Sequence, residues 1–153
     1  MKQRSTPIEE FFPMSLPSNI LRQVLNVNIS IDIFYFLGCT FVHSISRGIH
    51  FVTTEAIQDE KLSTLQKSDE RILNIYLSCG LKPSIINADN QFACVQNLVD
   101  CHIACVAKNE HVSDVEWSIR TQEEHTRTLI QRVPFTRPPH AMVESAVYIY
   151  IFS

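Results

Sequence analysis

The run Asn26-Val27-Asn28-Ile29-Ser30-Ile31-Asp32-Ile33-Phe34-Tyr35-Phe36-Leu37 constrains the fold of this chain more than any other stretch. Val27, Ile29, Ile31, Ile33, Tyr35 and Leu37 recur at every second position, and Asn28, Ser30, Asp32, Phe34 and Phe36 line the opposite face. From Ile31 onward both faces are apolar, which predicts a central strand covered on both sides. Asp32 interrupts it. A carboxylate there loses water, and an unpaired buried charge is very costly. It needs a cation, a metal or a place at a cleft; the plainer alternative is an edge-facing acid paired with Lys or Arg.

The elements around this strand follow from turn residues and periodicity. Leu37-Gly38-Cys39 supplies a turn before a second strand, Thr40 to Ile45; Ser46-Arg47-Gly48 supplies another before a third, Ile49 to Ala56, rich in β-branched residues. Connections this short imply an antiparallel meander. Leu62, Leu65, Ile72, Leu73 and Tyr76 then recur at helical spacing between Asp59, a possible cap, and Gly80, which suits the left-handed position past a helix end. Ser84 to Ala88 reads as a fourth strand, Phe92 to Leu98 as a short helix and His102 to Ala107 as a fifth strand. Ser113 to Arg132 reads as a long helix with a stripe of Val112, Val115, Ile119, Leu129 and Val133. Another apolar helix begins at Ala141. This order predicts an α/β domain with a mixed five-stranded sheet: an antiparallel meander of strands 1-2-3, then parallel strands 4 and 5, flanked by helices. It is the element order of a ribonuclease-H-like fold.

Residues 1–26 form a polar lead-in punctuated by Pro7, Pro13 and Pro17, expected to be partly disordered, although Pro17-Ser18-Asn19 offers a cap for a short helical piece through Leu25. Glu9, Glu10 and the prolines break any signal-peptide core. No uncharged apolar run reaches the ~20 residues of a membrane helix. Five cysteines, an odd number without a secretion signal, indicate free thiols in a reducing compartment, hence the nucleus or cytoplasm and not the secreted space. A length of 153 residues suits one domain, and a net charge of −3 provides no global attraction for nucleic acid.

Three carboxylates carry the chemical interest. Asp89 follows a strand expected to be parallel, at the carboxyl end where open α/β sheets bind ligands, though Asp beside Asn90 is also an ordinary turn former. Glu116 lies in the first turn of the long helix, where Ser113-Asp114-Val115-Glu116 also matches a capping box. Oxygen-only ligands suit Mg²⁺ or Mn²⁺, the ions of two-metal phosphoryl-transfer sites. Arg120 and Arg127 share one helical face, a strip able to meet DNA. Cys101-His102-Ile103-Ala104-Cys105 carries metal-capable side chains, but alternation puts the cysteines opposite His102 and no second pair stands at zinc spacing, so buried thiols are expected. Three glycines build no phosphate loop.

Ile31-Asp32-Ile33-Phe34-Tyr35-Phe36, Ser44-Ile45-Ser46-Arg47-Gly48-Ile49-His50-Phe51, Ala88-Asp89-Asn90-Gln91-Phe92, Asn109-Glu110-His111-Val112-Ser113-Asp114-Val115-Glu116 and Ile119-Arg120-Thr121 together resemble retrotransposon integrase cores, above all those of copia-type elements in algal and protist genomes. The resemblance implies an integrase catalytic core over residues 27–153, cut off in its last helix. It makes Asp32, Asp89 and Glu116 the three catalytic acids, holding Mg²⁺ or Mn²⁺. It implies DNA 3′-end processing and strand transfer, with Lys108, His111, Arg120 and Arg127 as nucleic-acid contacts, DNA as partner and a homo-oligomer as the assembly. The alternative is a catalytically inactive, transposon-derived domain of the same fold, kept as a binding or structural remnant.

Overall fold

The strand from Asn26 to Phe36 (β1) occupies the middle of a five-stranded sheet, as its two apolar faces require. The structure, a computed structural model, describes residues 17–19, 22, 25–95, 102–105 and 113–151, without the side chains of 94, 95, 102 and 113. Lys108, His111 and most of the lead-in lie outside that description. Within the lead-in, Ser18, Asn19 and Arg22 are helical.

Leu37 and Gly38 turn the chain back with φ of 48° and 81°, the left-handed geometry that two-residue hairpin turns favour. Cys39–Ser46 (β2) therefore pairs antiparallel with β1, Phe36 opposite Cys39, and Val52–Ile57 (β3) pairs antiparallel with β2. Leu62–Ser78 (α1) crosses over to Lys82–Ala88 (β4), which lies parallel to β1 on its other edge. A 3₁₀ segment, Asn90–Val95, precedes His102–Cys105 (β5), parallel to β4. The order β3-β2-β1-β4-β5 is the expected mixed sheet. Ser113–Ile130 (α2) and His140–Ile151 (α3) complete the described chain.

Alternation along β1 sorts two cores. Ile29, Ile31 and Ile33 meet Leu65, Ile72 and Tyr76 of α1, with Ile86 and Ile103 from the parallel strands. Phe34 and Phe36 point the other way, onto Phe41, Val143 and Val147 under α3. Phe34 and Phe41 stack with ring centroids 5.1 Å apart. α3 is further pinned to the β3 edge, where the Ala56 amide donates to the Tyr148 hydroxyl at 2.9 Å. Tyr35 and Leu37 depart from the expected buried face. Both are exposed, and the Tyr35 hydroxyl donates to Glu60.

The helix ends show which cap residues act. Gly80, with φ of 83°, follows α1; the Leu81 amide reaches the Tyr76 carbonyl at 3.0 Å and the Gly80 amide that of Leu77 at 2.9 Å. Those two bonds make a Schellman motif. At the other end Asp59 is not the cap. Lys61 takes that position without a side-chain bond, while Asp59 accepts from the Lys61 amide at 3.1 Å and the Thr64 hydroxyl at 2.6 Å. The expected burial of the thiols in Cys101-His102-Ile103-Ala104-Cys105 fails at Cys105, which is exposed at the end of β5, and Cys101 lies outside the described residues; Cys39 and Cys79 are buried. No described helix is long and apolar enough to cross a membrane.

Candidate active site

Strand register brings the acids together. Ile31 pairs with Ala88 across the parallel β1–β4 ladder, so the next residues, Asp32 and Asp89, leave the ladder side by side. On the other edge Asp32 is opposite His43, and His43 is opposite Thr54. Asp89, Asp32, His43 and Thr54 thus form one polar row across four strands, on the face that α2 covers. This is the carboxyl end of the parallel β1–β4 ladder, where β4 gives way to the 3₁₀ segment while β1 runs on beside β2.

Each aspartate already serves the backbone. Asp32 Oδ1 accepts from the Ile33 amide at 2.8 Å, and Asp89 Oδ1 from the Asn90 amide at 2.6 Å as the 3₁₀ turn begins. The turn-former reading of Asp89 is therefore correct and compatible with a site, since its second oxygen is not used by that bond. Asp32 is half-buried and, among the described residues, forms no ion pair with Lys or Arg. Burial raises its pKa above the ordinary carboxylate value, the Ile33 amide partly opposes this, and the charges of Asp89 and then Glu116 raise it further. Glu116, in the first turn of α2, is thus close enough to Asp32 for its charge to be felt. Burial and like charge act in the same direction here, against ionisation. A cation would relieve both. The oxygen-only set suits a hard divalent ion, yet no three His, Cys, Asp or Glu side chains among the described residues already converge to the spacing of a metal-binding group.

α2 reaches this place through an unexpected surface. Val115 is buried as predicted and Ile119 and Leu129 are half-buried, but the centre of the stripe is polar: Ser118, Gln122 and Thr126 are buried against the sheet. His43, fully buried, explains two of them. Its Nε2 lies 2.8 Å from Ser118 Oγ and its Nδ1 2.7 Å from Thr54 Oγ1, whose hydroxyl donates to Gln122 Oε1 at 3.1 Å. Burial pushes the His43 pKa down to about 4 against a smaller opposing contribution from Gln122, so the ring is neutral. His43 was not among the histidines that the sequence singled out. Near the start of α2, Arg47 and Asp114 pair at 3.3 Å.

Of the four expected nucleic-acid contacts, Lys108 and His111 lie outside the described residues. Arg120 and Arg127 are exposed, and the helical repeat puts them on the same side of α2 as Glu116. Arg127 also lies over the Phe36 ring, 5.9 Å from its centroid, which ties it to the end of β1. Trp117, beside Glu116, is 63% exposed.

A β3-β2-β1-β4-β5 sheet, an acid within the central strand just past its parallel ladder, a second where the parallel neighbour ends and a third on the helix packed over them define a ribonuclease-H-like fold of the integrase-core kind. Neither a protein-family model nor a curated protein matches the sequence. Among solved structures the chain is similar to the catalytic core domain of BIV integrase, with a TM-score of 0.57 over 78% of this chain and 80% of that one, at 11% identity. The likeness is one of fold.

Proposed function

We propose that this domain is a metal-dependent polynucleotidyl transferase core that cuts and joins DNA phosphodiesters, in the manner of integrases. The observation that carries the reading is the position of Asp32, half-buried and held above its ordinary pKa partly by Asp89 and Glu116. A half-buried carboxylate opposed by the charges of two others is stabilised when a divalent cation joins them. Asp32, Asp89 and Glu116 would hold Mg²⁺ or Mn²⁺, which supplies Lewis-acid activation of the attacking oxygen and charge for the leaving one. Asp32 and Asp89 would present their second oxygens, the first being fixed by the Ile33 and Asn90 amides. Arg120 and Arg127, outward on the same side of α2, would meet the phosphate backbone, with Lys108 and His111 from the segment before α2. Processing of a copia-type element's ends in the nucleus, by a homo-oligomer, is the finer form of the proposal and rests on the resemblance of the sequence blocks.

Mn²⁺ titration tests the reading. At a hundredfold excess over Kd a single bound ion adds ~2.7 kcal/mol to stability, so the thermal midpoint rises with Mn²⁺ in the wild type and stays flat in Asp89→Asn. Nicking of a DNA duplex by the wild type, lost in Asp32→Asn and Glu116→Gln, completes the test. A flat Mn²⁺ response in the wild type removes the main support. The second reading, an inactive domain of the same fold, is favoured by the finding that no three His, Cys, Asp or Glu side chains among the described residues form a metal-binding group. It predicts that flat response.

A further inference from the structure

We infer that His43 is a positioning residue: with Thr54 it clamps α2 through Ser118 and Gln122, and so sets where Glu116 stands beside Asp32. This inference rests on the functional reading above for its consequence, and on geometry for its mechanism.

The bonds have a single consistent direction. Thr54 Oγ1 gives its proton to Gln122 Oε1, so it can only accept from His43 Nδ1. A neutral imidazole has one donor and one acceptor. Nδ1 being the donor, Nε2 is the acceptor, and the Ser118 hydroxyl donates to it. Gln122 then passes the chain to α3, its Nε2 donating to the Val147 carbonyl at 3.3 Å. The pKa of about 4 keeps this arrangement intact throughout the neutral range.

The closed ring is the important feature. Ser118 and Gln122 stand one turn apart on the same helix and are bound by neighbouring residues of two paired strands. Two attachments one turn apart fix both the rotation of a helix and its position along its axis. A slip of one residue would rotate α2 by about 100° and carry Glu116 out of the neighbourhood of Asp32. A greasy stripe would allow such slippage, because apolar contacts are non-directional; paired hydrogen bonds to buried polar groups do not, since every misplacement leaves donors and acceptors unpaired. His43 is also the cross-strand partner of Asp32. The residue that holds the helix is therefore placed on the strand position next to the acid that the helix must address.

Ser118→Ala removes the donor on α2 with a minimal change of volume. Two measurements read it: Mn²⁺ affinity, and the distance between spin labels on exposed Arg120 and Lys82. The expected result is a shifted or broadened distance distribution and a fall in Mn²⁺ affinity of about tenfold, the size typical of lost support to a metal ligand. In a Glu116→Gln background the same substitution leaves Mn²⁺ affinity unchanged, because its effect passes through Glu116. The clamp is overturned by a wild-type distance distribution in Ser118→Ala, or by an equal loss of affinity in both backgrounds. If the wild type binds no Mn²⁺, the functional reading falls by itself, and the distance distribution alone decides the clamp: a shift supports it and a wild-type distribution overturns it. His43→Phe, which keeps an aromatic ring, somewhat larger than the imidazole, and removes both bonds, repeats the test from the sheet side.

Discussion

Asp69 gives the most quantitative prediction that this structure supports. It lies midway along α1 on the face turned to the sheet, fully buried, and neither carboxyl oxygen has a hydrogen-bond partner. Burial first, and then the charge of Glu55 on β3, push its pKa from 3.8 up to about 7. The sign follows from proton counting. Between about pH 4 and pH 7 the folded state keeps a proton on Asp69 that the unfolded chain has released, so stability falls as pH rises. The contribution is fully present below 3.8 and gone once the pH has passed through about 7. Three pKa units at about 1.36 kcal/mol each give a ceiling of ~4 kcal/mol. Asp69→Asn carries no such charge and should unfold with a flatter pH profile. Urea midpoints measured from pH 4 to pH 8, at unchanged m-value, should diverge in favour of the variant. The advantage should be ~2–4 kcal/mol at pH 8 and small near pH 4, the range allowing for an amide as poorly partnered as the acid. Parallel pH profiles, or a variant less stable than wild type at pH 8, would refute the argument.

Phe41→Ala empties a fully buried ring position stacked on Phe34 and should destabilise by ~3–5 kcal/mol in chemical denaturation. Gly80→Ala puts a Cβ on a residue with φ of 83° and should lower stability by ~1 kcal/mol, with the helical circular dichroism of the folded state unchanged. Asp32→Asn relieves a raised carboxyl and should raise the thermal midpoint in chelator while abolishing any response to Mn²⁺; a lowered midpoint in chelator would contradict the repulsion assigned to this position.

The sheet was legible because each β signal was local and strong. Alternation along β1 identified the central strand, and short turns identified the meander before any pairing was seen. Asp32 and Asp89 were legible for the same reason: one breaks the apolar run and the other ends one. The clamp was hidden by a single residue. Reading Leu37-Gly38-Cys39 as a three-residue turn pairs Phe36 with Thr40 and puts Ser44 opposite Asp32, with His43 on the other face. The observed two-residue turn pairs Phe36 with Cys39 and brings His43 onto the face of Asp32. In a strand, a shift of one residue exchanges every side chain between faces. Ser118, Gln122 and Thr126 were hidden differently. A polar residue on a helix carries no sign of the buried partner that satisfies it, and that partner lies on strands far away in sequence.

The two histidine bonds also explain why α2 uses so little apolar surface. A helix carrying an acid toward other acids is pushed away from its own binding site, and half-buried like charges oppose its docking at neutral pH. Apolar packing can hold such a helix down but cannot choose among neighbouring rotations. The polar stripe makes that choice, at the cost of burying hydroxyl and amide groups that must all be satisfied. It is nearly complete: Thr126 Oγ1 on α2 and, two residues before Asp32 on β1, Ser30 Oγ are the buried hydroxyls of this face left without a partner among the described residues. Both lie outside the ring of Ser118, His43, Thr54 and Gln122, where every polar side-chain atom that directs the helix is matched. Within α2, hydrogen-bond satisfaction is therefore tightest where the rotation of Glu116 is decided, and looser farther along the helix at Thr126, where a small displacement would not change which acid faces Asp32.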